Sequence, residues 1–184
     1  TMVLRGIPET EIICDNLEVP ADMVLAAPGG FKRGFAQLMN AYNSQRVGAG
    51  TVALGLAVGG YRNALAFAQE REQFDRPIAE FQGLQWMLAD MATDLRAARL
   101  LSLDASIKRG KGERFSLEAG MAKLHASEMA ARVTDKALQI HGGFGYTRDM
   151  PLERYVRDVR IMRIYEGSSE IQRNIIARDL LTRS

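Results

Sequence analysis

A mainly α-helical protein is predicted, an up-and-down helical bundle with a short β segment at its start. Three observations lead there: long stretches in which apolar residues recur at three and four, breaks between them marked by glycine and proline, and one β-branched run confined to the beginning. The 184 residues suit one domain, and a hydrophobic content of 47% is enough to fill its core.

The opening run, "TEIICDNLEVP", lies between Pro8 and Pro20 and reads as a strand over 9–19. A lone strand leaves its backbone groups unpaired. Its partners are therefore expected outside this sequence, with 1–28 as the remnant of a middle β domain plus linker and 29–184 as the helical bundle. After Gly30 the pattern turns helical, with helices predicted at 31–70, 79–109, 116–141, 151–164 and 169–181. The breaks are "DRP" at 75–77, "RGKGE" at 109–113, "GGFGY" at 142–146, and Gly167. In the first helix Gly48, Ala49, Ala53, Gly55, Ala57 and Gly59 make a smooth surface that admits a close neighbour. In the second, Leu84, Met87, Leu88, Met91 and Leu95 form one apolar stripe. Pro151 suits a helix start, and Ser169 with Gln172 has the spacing of a capping box.

Composition narrows the function classes. The 24 basic and 22 acidic residues are interspersed, for a net charge of +2, so nothing points to nucleic acid. Cys14 is alone, which rules out an intramolecular disulfide, and with only His125 and His141 besides it no metal centre is expected. The most apolar run, 47–60, is shorter than the ~20 residues a membrane span requires, and no signal peptide opens the chain.

Several stretches could carry chemistry. In "YEGSSEIQ", Glu166 stands at the seam between two helices, where a surface carboxylate at a turn and a positioned general base are both open readings. Arg154, Arg157, Arg160 and Arg163 follow one another at spacing three, as a solvated face or a docking face. Arg71 and Gln73 could bind a phosphate or cap a helix end, and "GGFGY" could admit a ligand or merely end a helix. Gln82 and Gln139 are polar residues in apolar stretches, equally compatible with core pairing and with ligand binding.

Taken in order, "LRGIPETEIICDNLEVP", "REQFDRPIAEFQ", "LADM", "QIHGGFGYTRDMPLERYVRDVR" and "IYEGSSEIQR" resemble the C-terminal half of an acyl-CoA dehydrogenase over essentially the whole chain. The resemblance implies an FAD-dependent enzyme that forms a double bond between the α and β carbons of an acyl-CoA thioester. Its implied partner is an electron-transfer flavoprotein, its assembly a homotetramer or homodimer, and its pathway fatty acid metabolism. The location would be cytoplasmic in a bacterium or the mitochondrial matrix in a eukaryote. On the match to "YEG", Glu166 is the base that removes the α proton. Arg71, Phe74, Gln82, Gln139, Gly142, Gly143, Ser168 and Glu170 correspond to FAD contacts, Arg71 reaching the cofactor of a neighbouring subunit. Asn43, Arg46 and Gly167 correspond to substrate contacts.

This sequence departs from many relatives in having Asn43 for aspartate, Ser168 for threonine and Glu170 for glutamine. Isovaleryl-type relatives carry their base at the position of Gln45, and glutamine cannot serve as one, which favours Glu166. The alternatives are an enoyl-CoA reductase or oxygen-using relative on the same fold, or a helical interaction module without chemistry.

Overall fold

The computed structural model describes residues 2, 4, 6, 7, 9–24 and 30–182, with only the backbone of Phe31 and Lys32. Helix α1 (Phe31–Glu70) leads into a two-stranded antiparallel hairpin, β1 (Glu72–Gln73) and β2 (Arg76–Pro77). Then come α2 (Gln82–Gly110), α3 (Ser116–His141), the one-turn α4 (Gly143–Tyr146), α5 (Leu152–Ile161) and α6 (Ser169–Thr182). The three long helices and their short connections are those expected from the sequence.

Residues 9–19 pair with no strand among the described residues, in keeping with a run whose partners are expected elsewhere; they are exposed, and a bend at Asp15-Asn16, with Asn16 at φ 48°, interrupts the run. "GGFGY" does end α3, and after Gly142, at φ 57°, the chain winds one more helical turn. The cap expected for α6 changes, as described below. The expected boundary at Pro28-Gly29 lies outside the described residues.

Helix α3 is the hub, touching α1, α2, α4, α5 and α6. It can do so because its buried positions are mostly small: Ala119, Ala122, Ala126, Ala130 and Ala137 are all fully buried. Against them α1 sets Ala53, Ala57, Ala64 and Ala68, equally buried. Gly50 shows how near the two backbones run: a Cβ there would stand 3.4 Å from the Ala122 carbonyl oxygen and from the Lys123 Cα. Larger side chains fill the remaining core, Met91 from α2, Met129 and Val133 from α3, Leu152 and Val159 from α5, and Met162 just beyond it.

No described helix is long and apolar enough to cross a membrane. An apolar face remains on α1 and α2, where Val52, Leu100, Leu103 and Ile107 are each about half exposed.

A core packed this way should resist change in both directions. Met129→Ala removes a fully buried side chain and should lower unfolding free energy by about 2–5 kcal/mol. Ala57→Leu, by overfilling the α1–α3 contact, should cost about 1–3 kcal/mol. Denaturant unfolding of each variant checks both values.

Candidate active site

The chain leaves α5 through Met162–Tyr165, passes Glu166 and Gly167, and enters α6 at Ser169. Glu166 and Gly167 both have positive φ, 54° and 89°. Gly167 favours glycine: its φ strains any side chain, and a Cβ would lie 2.5 Å from Gln172 Nε2, displacing the amide that holds the turn. Glu166 adopts the left-handed region despite its side chain, at a cost of roughly 1–2 kcal/mol.

Buried side chains hold this turn from two helices. Gln172 of α6, fully buried, donates from Nε2 to the carbonyls of Glu166 (3.1 Å) and Gly167 (3.0 Å). Lys123 of α3, also fully buried, donates from Nζ to the Gly167 carbonyl at 2.7 Å. Glu128, one and a half turns further along α3, accepts from Ser169 Oγ at 2.7 Å and pairs with Arg163 at 3.0 Å, tying both flanks of the turn to the hub. Burial alone would raise the Glu128 carboxyl, but the bonds from Ser169 and Arg163 outweigh it and hold the group below its ordinary value.

Gln172 therefore does not close a capping box with Ser169. The cap of α6 is Ser168, whose Oγ faces the Ile171 N–H at 3.5 Å, and Gln172 is drawn inward by the two loop carbonyls. Glu170 is exposed in the first turn of α6, its carboxyl lowered by its own backbone N–H and by the Ser168 hydroxyl.

The Glu166 carboxylate is partly buried, and its Oε2 has no hydrogen-bond partner among the described residues. Arg46 of α1 is buried, donates to Asn43 Oδ1 at 2.6 Å and leaves its Nε unpartnered among the described residues. Burial lowers the Arg46 guanidinium from its ordinary value, while the charge of Glu166 works in the opposite direction. Tyr165, next to Glu166, is raised by burial and by the Glu166 charge, and its hydroxyl donates to Met162 Sδ at 2.8 Å. Asn43 and Arg46 also line an open hollow of about 780 Å³ between α1, the α2–α3 loop and α6. Gln45, their neighbour on α1, is exposed.

A second hollow, about 540 Å³, lies where α1 and α3 end. Arg71, Gly142 and Gly143 line it together with Phe67, His141 and Phe144. His141 stacks on Phe67 with centroids 4.2 Å apart, and its buried Nε2 is unpartnered among the described residues. Arg71 is exposed, lies over the Phe144 ring at 5.6 Å, and pairs with no carboxylate among the described residues. At Gly142 and Gly143 an added Cβ would meet nothing within 4 Å, so a ligand has room to approach the backbone there. An unpaired guanidinium, an open glycine wall and an orphaned ring nitrogen fit an anionic, partly aromatic group such as FAD.

Phe74 is 86% exposed at the tip of the hairpin and meets Phe81 edge-on at 6.1 Å, which sets the hairpin against the start of α2 at Gln82. Gln82 and Gln139 are exposed rather than paired within the core. Reading the sequence missed Lys123 and Glu128. The available signal was a lysine placed within α3's stripe of Ala119, Ala122, Ala126 and Ala130, where an exposed residue would be out of register.

The family model for the acyl-CoA dehydrogenase C-terminal domain matches residues 32–181. A 3-sulfinopropanoyl-CoA desulfinase of Cupriavidus necator is 52% identical over 180 residues, 98% of this chain and 45% of that protein. An acryloyl-CoA reductase (NADH) of Anaerotignum propionicum is 44% identical over 182 residues, 99% of this chain and 45% of that one. Butyryl-CoA dehydrogenase from Megasphaera elsdenii superposes with a TM-score of 0.80 at 38% identity, covering 81% of this chain and 39% of that one. The chain thus spans somewhat less than half the length of the proteins it matches. Its match to the C-terminal domain model and the agreement of its helical architecture with that of solved members place this chain in the acyl-CoA dehydrogenase family.

Proposed function

We propose that this chain carries the base of an FAD-dependent enzyme that dehydrogenates an acyl-CoA thioester between its α and β carbons. The observation that carries this reading is the Glu166 carboxylate: fixed on a strained, clamped turn, with a buried Oε2 that has no hydrogen-bond partner among the described residues. An unpaired buried acceptor of this kind is suited to receiving a proton from a substrate carbon. Asn43 and Arg46 would hold the CoA-ester side, and the hollow beyond them leaves space for it.

FAD, when bound, would supply the acceptor for the β hydride. Arg71, Phe74, Gln82, Gln139, Gly142, Gly143, Ser168 and Glu170 are the positions in this chain that would contact it. Electrons would pass on to an electron-transfer flavoprotein. The half-exposed apolar face of Val52, Leu100, Leu103 and Ile107 supports assembly as a homotetramer or homodimer.

A second reading is favoured by one specific finding, the 52% identity to a 3-sulfinopropanoyl-CoA desulfinase across 98% of this chain. Both readings put an acyl-CoA thioester beside Glu166. They part at the β carbon: in one it gives up a hydride, and in the other its C–S bond breaks with the electron pair left on carbon, a proton replaces the sulfur, and water takes up the released SO₂ as sulfite.

The full-length, FAD-loaded protein should therefore be offered butyryl-CoA and 3-sulfinopropanoyl-CoA anaerobically. Dehydrogenation predicts bleaching of the oxidised flavin band by butyryl-CoA; sulfite release without bleaching would select the second reading. Glu166→Gln should lower the bleaching rate by at least ~10²–10⁴-fold while keeping FAD and CoA-ester binding. Bleaching as fast as wild type would leave Glu166 a turn residue only.

Arg71→Ala should release FAD more readily, and Arg71→Lys should rescue retention only in part because lysine lacks the guanidinium fork. Flavin content after gel filtration reads the effect. A monomeric holoenzyme by light scattering would contradict the cross-subunit role.

A further inference from the structure

A lysine with no solvent access at all is the largest fully buried side chain among the described residues. Burying a charge is costly, and an apolar side chain of similar volume commonly serves the fold equally well or better. Lys123 therefore needs a reason beyond packing, and its direct bond among the described residues points to it. Its Nζ reaches the Gly167 carbonyl at 2.7 Å, on the residue directly after Glu166.

We infer that Lys123 is a positioning residue for Glu166: its ammonium, delivered from the hub helix, holds the left-handed Glu166–Gly167 turn so that the carboxylate meets the substrate's α carbon. The inference rests on the reading of Glu166 as the base. Lys123 touches neither substrate nor cofactor in this scheme; it acts through the backbone.

The charges facing Lys123 come from every side. Glu128 lies on its own helix, Glu166 on the turn, Glu170 on α6 and Arg46 on α1. Burial is the largest influence and pulls the ammonium down to about 8, the three carboxylates opposing it and Arg46 adding to it. The group is thus mostly charged at neutral pH and sheds its proton as pH rises through about 8.

This shift carries opposite signs for stability and for work. A lysine whose folded value lies below its unfolded one penalises the fold fully below about 8, and the penalty is relieved as pH climbs toward 10.5. Over that window the fold should gain from Lys123 losing its proton. The turn, by contrast, should be held less firmly, because a charge-assisted bond to the carbonyl becomes an ordinary one. Lys123 should therefore add to stability and subtract from proton abstraction over the same pH range. A residue that merely packs would give no such divergence.

Proton abstraction can be read apart from the rest of the reaction. Acetyl-CoA has α protons and no β carbon, so it can undergo exchange but cannot be dehydrogenated or lose a β substituent. Full-length, FAD-loaded protein should be incubated with acetyl-CoA in D₂O and α-deuteration followed by proton NMR, with acetyl-CoA affinity measured alongside. Lys123→Met should slow exchange by about 10²-fold, the usual effect of a displacement of about 1 Å, with affinity unchanged. Its melting temperature should be equal to or above wild type.

Lys123→Arg keeps the charge and the donor and cannot titrate in this range. It should retain exchange and abolish the decline above pH 8 that wild type shows. Folded Lys123→Met that exchanges as fast as wild type overturns the inference while leaving the base reading intact. No exchange in wild type, or equal exchange in Glu166→Gln, fails the base reading itself and takes the inference with it. Should Lys123→Met not fold, the wild-type profile decides: a fall through about pH 8 supports the role, and a flat profile between pH 7 and 9.5 overturns it.

Discussion

The close approach of α1 to α3 is the constraint on which the rest depends. Alanine and glycine on both helices bring the backbones together, until at Gly50 a single methyl group would already touch the α3 main chain. That approach buries the face of α3 that carries Lys123, where a polar group needs a partner within the fold. Lys123 finds the Gly167 carbonyl and Glu128 finds Ser169 and Arg163, all of them on or beside the segment joining α5 to α6. A packing decision made by small residues in the first and third helices thereby fixes a turn over 100 residues after the first of them.

The turn would cost less as Gly-Gly. A glutamate at φ 54° is strained, and the fold supplies Gln172, Lys123 and Glu128 around it instead of relaxing it. Two carbonyls pinned by buried donors, each bond worth about 1 kcal/mol net and more where the donor is charged, comfortably offset one left-handed residue. The strain is localised where a carboxylate is aimed, and the supporting bonds come from two different helices. Such an arrangement keeps the side chain's direction independent of motion in either helix alone.

The sequence made the helices legible because their signals are local. Period, proline and glycine located α1, α2, α3, α5 and α6 to within a few residues, and Gly167 was visible as a break. The run at 9–19 is less legible than the helices, because β-branched residues report only a preference for extended backbone, while a strand also needs a partner to pair with. The capping-box reading of Ser169 and Gln172 failed for a related reason. Spacing alone cannot tell whether a glutamine turns back to its helix start or inward to two loop carbonyls. Glu166 was singled out from its seam position, and its importance rested on resemblance. Lys123 was not singled out because its partner is 44 residues away, and no local pattern encodes a bond across that distance.

The hairpin between α1 and α2 obeys the same logic as the Glu166 turn, but in the opposite direction. Phe74 and Asp75 occupy its two central positions at φ 55° and 60°, a geometry that matches the twist of a two-residue hairpin and that asparagine-glycine would meet with less strain. Phenylalanine there incurs backbone strain and also exposes most of an aromatic ring to water. Among the described residues the aromatic contact of this ring is an edge to Phe81, and the arginine that begins the segment, Arg71, has no carboxylate partner. At Glu166 strain is answered by buried bonds from within the fold. At Phe74 it is unanswered, together with an open glycine wall and an orphaned His141 nitrogen nearby on the α3 side. The strain at the Glu166 turn is thus answered from within the fold, while the hairpin end leaves a glycine wall, an arginine and a ring nitrogen open, the arrangement that the proposed FAD reading calls for.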